Sequence, residues 1–160
     1  MRYAIPLALL AITIAAFFGL GRGRYAAFGW AQTLLRILVA LPLRASAVLL
    51  HVLSVHATAG IVPPALPARA FLVVATGVLE IAGALGLFLE DLRRTAALWT
   101  AILMVAVFPA NVYAAGMVVN GMQMPGIPLR TAMQIVYIVL VLLAGYGVPG
   151  RGRASLQRPE

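Results

Sequence analysis

Apolar residues run along this chain in long blocks, separated by short polar interruptions. Residues 3–20 hold no charge and are closed by GRGR at 21–24. A second block, 33–56, is apolar except for Arg36, Arg44, two serines, Thr33, His51 and His56, with Pro42 inside it. The stretch IVPPALP follows, and its prolines deny a helix its amide donors and restrict the residues before them. Blocks 70–89 and 96–118 flank the charged turn EDLRR, NGMQMPGIP at 120–128 is rich in turn formers, and 131–148 is the last block. A membrane-crossing helix needs about 20 predominantly apolar residues. The pattern therefore predicts an all-α integral membrane bundle of five spans, the second one helix over 33–56 kinked at Pro42.

Composition sharpens this reading. Hydrophobic residues make up 63% of the 160-residue chain, charged residues 10%, and the mean hydropathy is +1.02. A soluble domain is about half apolar and about a quarter charged, so lipid is the expected solvent and the bilayer the first partner. The net charge of +8 comes from twelve arginines, no lysine and four acids. The arginines sit singly or in pairs between apolar blocks, which speaks against nucleic acid and for a topological role. Arg2, Arg69 and Arg130 fall on one side, and Arg22, Arg24, Arg93, Arg94, Arg151, Arg153 and Arg158 on the other, with Arg36 at its margin. The richer side is expected in the cytoplasm and the N-terminus outside. The first block is read as a retained span because no small-x-small cleavage site follows it. If it were cleaved, four spans of the same orientation would remain. The tail from residue 149 is basic and expected to be disordered.

Few residues offer chemistry. There is no cysteine, which excludes disulfides and thiolate ligands within this chain. Two histidines off one helix face and scattered carboxylates make no metal cluster, and no nucleophile–base set or phosphate loop is present, so no catalytic residue is assigned. The buried polar positions remain. Glu80 lies eleven residues into the third block, about 16 Å at the helical rise, close to the bilayer midplane. Arg44 falls at the same depth on the second span, seven residues from His51 and on its face. His51 and Asn111 lie nearer the outer surface. Thr76, Gly77, Gly83 and Ala84 around Glu80 mark a packing face. Gln134 and Tyr137, three apart, share a face of the last span. The ligand-site candidates are therefore His51, Glu80, Asn111 and Arg44, with Glu80 expected to pair with Arg44 and to floor a cavity rimmed by His51 and Asn111. A purely structural polar core, with Asn111 satisfying carbonyls freed by Pro109, is the alternative.

Three stretches carry a family resemblance: HVLSVHATAGIVPPALP, TGVLEIAGALGLFLEDLRRTAA and AVFPANVYAA. With His51 thirteen residues before Pro64, the G-V-x-E-I-x-G-A-L-G-L run and F-P-A-N, they resemble the DoxX-like family of small bacterial membrane proteins over residues 34–145. Val52 and Val55 stand where that family usually has an aromatic and a proline. The resemblance implies a four-helix bundle over 33–148 in the bacterial inner membrane, with 1–24 an added span and its basic flank and 149–160 a tail. It also implies a role as an accessory or subunit in quinone-linked redox metabolism, with a quinone as ligand and a redox enzyme as partner. A small-molecule transporter or channel, and a scaffold or assembly factor without ligand, are the competing expectations.

Overall fold

A computed structural model describes residues 3–22, 24–51, 53–119 and 121–149, with the backbone alone at 46, 47, 49–51 and 122. Six helices lie among the described residues: α1 (Ala4–Gly21), α2 (Trp30–His51), α3 (Val55–Ala59), α4 (Arg69–Gly86), α5 (Arg93–Tyr113) and α6 (Ile127–Tyr146). Four short strands accompany them, β1 (Tyr25–Ala26), β2 (Val118–Val119), β3 (Met122–Gln123) and β4 (Val148–Pro149). The fold is all-α, and α1, α4, α5 and α6 are long and apolar enough to cross a membrane. Helices α2, α4, α5 and α6 form a closed ring, α2 packing on both α4 and α6, while α1 lies outside it against α6 and α5. Leu10, Ala97, Phe108, Ile138 and Leu142 fill the interior, and Ile12, Phe71, Trp99 and Val136 point outward, as lipid-facing side chains do.

The helix ends depart from the apolar blocks for identifiable reasons. The second block forms two helices. At the end of α2 the Leu53 amide bonds the Val48 carbonyl, five residues back, and Ser54 leaves helical geometry at φ −125°, ψ 33°. His56 then falls on α3 and is exposed. Helix α4 stops at Gly86, beyond which the Phe88 and Leu89 amides turn back on the Leu85 and Gly86 carbonyls, three residues earlier. Helix α5 begins at Arg93, and Glu90 bonds the Arg93 guanidinium at 2.6 Å, offsetting a cation placed at the positive end of the helix dipole. It stops before Gly116, whose φ of +80° leads into the β2–β3 hairpin. Helix α6 starts earlier than the apolar block, because Pro128 suits the first helical turn and Arg130 is carried inside.

The end of α6 is held from α2. The last carbonyls of a helix have no partner within it, and inside a bilayer each open carbonyl is costly. Gln32 Nε2 donates to the Leu143 and Ala144 carbonyls at 3.2 Å, and Arg36 Nε donates to Ala144 at 2.9 Å. Arg36 also places a positive charge at the negative end of the helix dipole. Just beyond, β1 pairs antiparallel with β4, Tyr25 opposite Pro149 and Ala26 opposite Val148. The Tyr25 ring stacks on Phe17 at 5.4 Å and lies 5.1 Å from Tyr146, joining α1 to α6.

Small residues set the helix spacing at this end. A Cβ on Gly83 would meet the Thr100 hydroxyl, one on Gly86 would lie 2.6 Å from Ala96, and one on Gly145 would meet Ala97 Cβ and lie 2.7 Å from the Arg93 carbonyl. Gly145→Val is therefore expected to destabilise the protein by about 1–3 kcal/mol, because backbone blocks the new side chain. Gly19→Ala, with nothing within 4 Å of its new methyl, should be neutral or stabilising. Thermal unfolding of both variants in detergent checks the contrast, and equal effects would place α6 farther from α5 than described.

Candidate functional site

The packing opens toward the opposite end. There, α2 around Pro42, α3 with the loop after it, residues 72–80 of α4, the last half of α5 and the middle of α6 enclose a cavity of about 920 Å³. Its walls are mostly apolar, among them Leu72, Val73, Leu103 and Val107. Polar side chains enter from four elements: Thr58 on α3, Thr76 and Glu80 on α4, Asn111 on α5, Gln134 and Tyr137 on α6. An apolar pocket with a few converging polar groups is the usual form of a small-molecule site.

Two prolines explain the local structure. Pro42 and Pro109 each remove an amide from a helix interior, and their rings crowd the carbonyl four residues back. The carbonyls next to the crowded ones are taken by α6. Tyr137 OH donates to the Val39 carbonyl at 2.6 Å, and Gln134 Nε2 donates to the Met104 carbonyl at 3.1 Å. Asn111, expected to satisfy the carbonyls near Pro109, is engaged otherwise. Arg130 donates from a terminal guanidinium nitrogen to Asn111 Oδ1 at 2.8 Å and from Nε to the Pro125 carbonyl at 3.2 Å. Arg130, Gln134 and Tyr137 are spaced four and three along α6, one face of the helix, and descend about 10 Å from the rim toward the centre.

The sequence-predicted residues divide. Glu80 and Asn111 line one cavity, with Glu80 the deeper. Arg44 lies on the exposed side of α2, and among the described residues the ion pair formed is Arg93–Glu90, so the expected Arg44–Glu80 bridge is not made. Glu80 is engaged elsewhere. The expected position of the His51 side chain lies outside the described residues. Among those described, no three histidine, aspartate or glutamate side chains come together as a metal would require. Arg130 was missed as a site residue because it was weighed only as a topological charge. Its spacing from Gln134 and Tyr137 was the available signal.

Fold and cavity together define a multi-pass helical membrane protein with a ligand-sized interior. The chain belongs to the family described as a domain of unknown function (DUF8561), whose match covers residues 25–144 and begins after α1. No curated protein and no solved structure matches it. The family match overturns the DoxX-like assignment. The stretches that suggested it are built from glycine, alanine, leucine and proline at the spacings that close helix packing and interhelical turns require. Such stretches arise in unrelated membrane bundles for that physical reason.

The Asn111–Arg130 contact ties the end of α5 to the start of α6. Asn111→Leu and Arg130→Met are each expected to cost about 1–3 kcal/mol, and the double variant less than their sum by about 1 kcal/mol or more. A double-mutant cycle on thermal or denaturant unfolding measures this coupling, and strictly additive losses would mean that the two side chains do not meet.

Proposed function

We propose that the protein binds a lipid-soluble molecule with a compact polar head in the cavity between α2, α4, α5 and α6, an isoprenoid quinone being the class that fits. In this reading it is an accessory or subunit in membrane redox metabolism, and a partner redox enzyme exchanges electrons with the bound quinone. The observation that carries the reading is the make-up of the cavity, mostly apolar walls into which a few polar side chains converge from α3, α4, α5 and α6. A prenyl tail asks for apolar walls, and a ring carbonyl asks for donors. The Gln134 amide uses one of its two hydrogens on Met104, and the Asn111 amide nitrogen makes no hydrogen bond among the described residues. Both remain able to donate. Thr76 spends its hydroxyl hydrogen on the Val73 carbonyl and offers only acceptor capacity.

Solvent extraction of the purified protein followed by mass spectrometry is expected to recover quinone in near-stoichiometric amount. Ala110 is half-buried in the cavity wall. Ala110→Phe should fill the space and reduce the recovery severalfold while leaving the thermal midpoint close to that of the parent. Absence of quinone from the parent protein, or equal recovery from the variant, would sink the reading. Solute flux through liposomes that Ala110→Phe abolishes would replace it with a transport function.

In the same reading the protein sits in a bacterial inner membrane with the Arg22, Arg24, Arg93 and Arg94 end in the cytoplasm and the cavity end outside. The arginine asymmetry supports this orientation. Asp91 and Gln123 are exposed at opposite ends, and the chain has no cysteine of its own. Cysteines placed at these two positions should react with an impermeant thiol reagent from opposite sides, Gln123→Cys from outside and Asp91→Cys only after the membrane is opened. Reaction of both in intact cells would reject the orientation.

A further inference from the structure

Where the 920 Å³ cavity opens decides what can reach it. At its outer end the loop after α3 lines it with Ile61, Val62 and Leu66, which offer a hydrated solute no polar lead-in. The seam between α4 and α5 changes along its length. Near the arginine-rich end it is shut, since a Cβ on Gly83 would meet the Thr100 hydroxyl and one on Gly86 would lie 2.6 Å from Ala96. Carrying that antiparallel register outward by about two turns sets Thr76 across from Val107, about 10 Å along the seam. Thr76 and Val107 both line the cavity, and both are half-buried. The cavity therefore reaches the line along which these two helices would otherwise meet.

Helix α5 shows how far the opening continues. At the helical repeat, Met104, Asn111, Val107, Leu103, Ala110 and Ala106 follow one another around the helix over roughly 160°. All of them line the cavity. The series starts inside, where Met104 is buried, passes through half-buried residues and ends at Ala106, which is exposed. Ala106 shares the outward side of α5 with Trp99 and Ile102, themselves exposed, and on a membrane-spanning helix that side meets lipid. One continuous lining thus runs from the bundle interior, along the α4 side of α5, to the lipid face. Alanine is the smallest side chain that could end it, and the outlet is left unfilled.

We infer that the cavity opens sideways into the bilayer between α4 and α5, and that its ligand is a tailed lipid whose head lies inside while its chain passes Val107 and Ala106 into the membrane. The inference rests on the proposed reading of the cavity as a site for a lipid-soluble molecule, and adds the route and the tail. A chain taking this path stays among apolar groups throughout, so it crosses no polar surface and need not fit inside the cavity. Only the head moves from lipid into protein. Asn111, one turn beyond Val107 on the same face of α5, stands at the edge of the portal and offers the first donor to an incoming carbonyl.

Two measurements on the full-length protein test the portal, and the first needs no ligand. The chain has no cysteine, so Thr76→Cys, Val107→Cys and the lipid-facing control Val136→Cys can each carry a single nitroxide label in liposomes. Spin relaxation should find the labels at 76 and 107 open to molecular oxygen, which concentrates in lipid, and shielded from a water-soluble nickel chelate, as at 136. Preferential access of the nickel chelate, or shielding from both reagents, would overturn the portal. The second measurement compares decylubiquinone with its tail-less ring analogue by native mass spectrometry. Ala106→Trp should weaken binding of the tailed quinone about tenfold and of the bare ring less than about twofold, with Val136→Trp changing neither. Equal effects of Ala106→Trp on the two ligands, or none on either, would remove the tail from the portal and overturn the inference. If neither quinone binds the parent while the labels behave as at 136, the quinone reading fails and the lateral opening stands.

Discussion

A helix inside lipid must find partners for every backbone carbonyl it leaves open, and that constraint organises this bundle more than any charge pair. Three such places occur: the C-terminal end of α6, the turn before Pro42 in α2 and the turn before Pro109 in α5. The first is met from α2, and beside each proline α6 adds a donor to the carbonyl next to the opened one. Gln32 and Arg36 cap α6, Tyr137 reaches Val39, and Gln134 reaches Met104. The traffic runs in both directions between α2 and α6, since α2 supplies the donors at one end and α6 the donor at the other. These bonds connect elements about a hundred residues apart in sequence and hold the ring closed.

The same helices are close at one end and apart at the other, and the residues say why. Toward the arginine-rich end, Gly83 faces Thr100, Gly86 faces Ala96 and Gly145 faces Ala97, so the backbones approach with no side chain between them. Toward the other end α2 and α5 carry Pro42 and Pro109 within them, α2 gives way to the short α3, and the 920 Å³ cavity lies between the helices. A dense half and an open half thus coincide with where glycine and proline fall. Gln134 and Tyr137 stand at the cavity's edge, bonded to the Met104 and Val39 carbonyls, each one residue from the carbonyl a proline leaves open.

Much of this was legible in the sequence, and the part that was not has a physical cause. Blocks of apolar residues set the helices because length and hydropathy decide membrane insertion. Depth counted at the helical rise brought Glu80 and Asn111 to one cavity. Contact could not be counted in the same way. Arg44 and Glu80 share a depth, yet Arg44 lies on the exposed side of α2, because depth fixes height along a helix and says nothing of azimuth. Side chain to backbone bonds were equally hidden: Gln32 gives no hydropathy signal, and its role depends on where α6 ends, more than a hundred residues later. The family resemblance failed for a related reason, since short runs of small and apolar residues report helix packing before they report descent.

Arg130 shows how one residue can belong to both halves of the problem. Counted as a charge, it belongs to the poorer side of the topological balance. Placed in the fold, it holds the Asn111 amide by its oxygen and the Pro125 carbonyl by its Nε. An asparagine that accepts through its oxygen has its orientation fixed, and its amide nitrogen is then presented as a donor. The rim of the cavity is therefore polarised toward ligands that accept hydrogen bonds, while the floor at Glu80 carries a carboxyl group. In the proposed reading, the donors at its mouth favour an acceptor such as a carbonyl or ether oxygen there, while the Glu80 carboxyl at the base is already engaged within the protein. Apolar walls between them admit the remainder of the molecule at no polar cost.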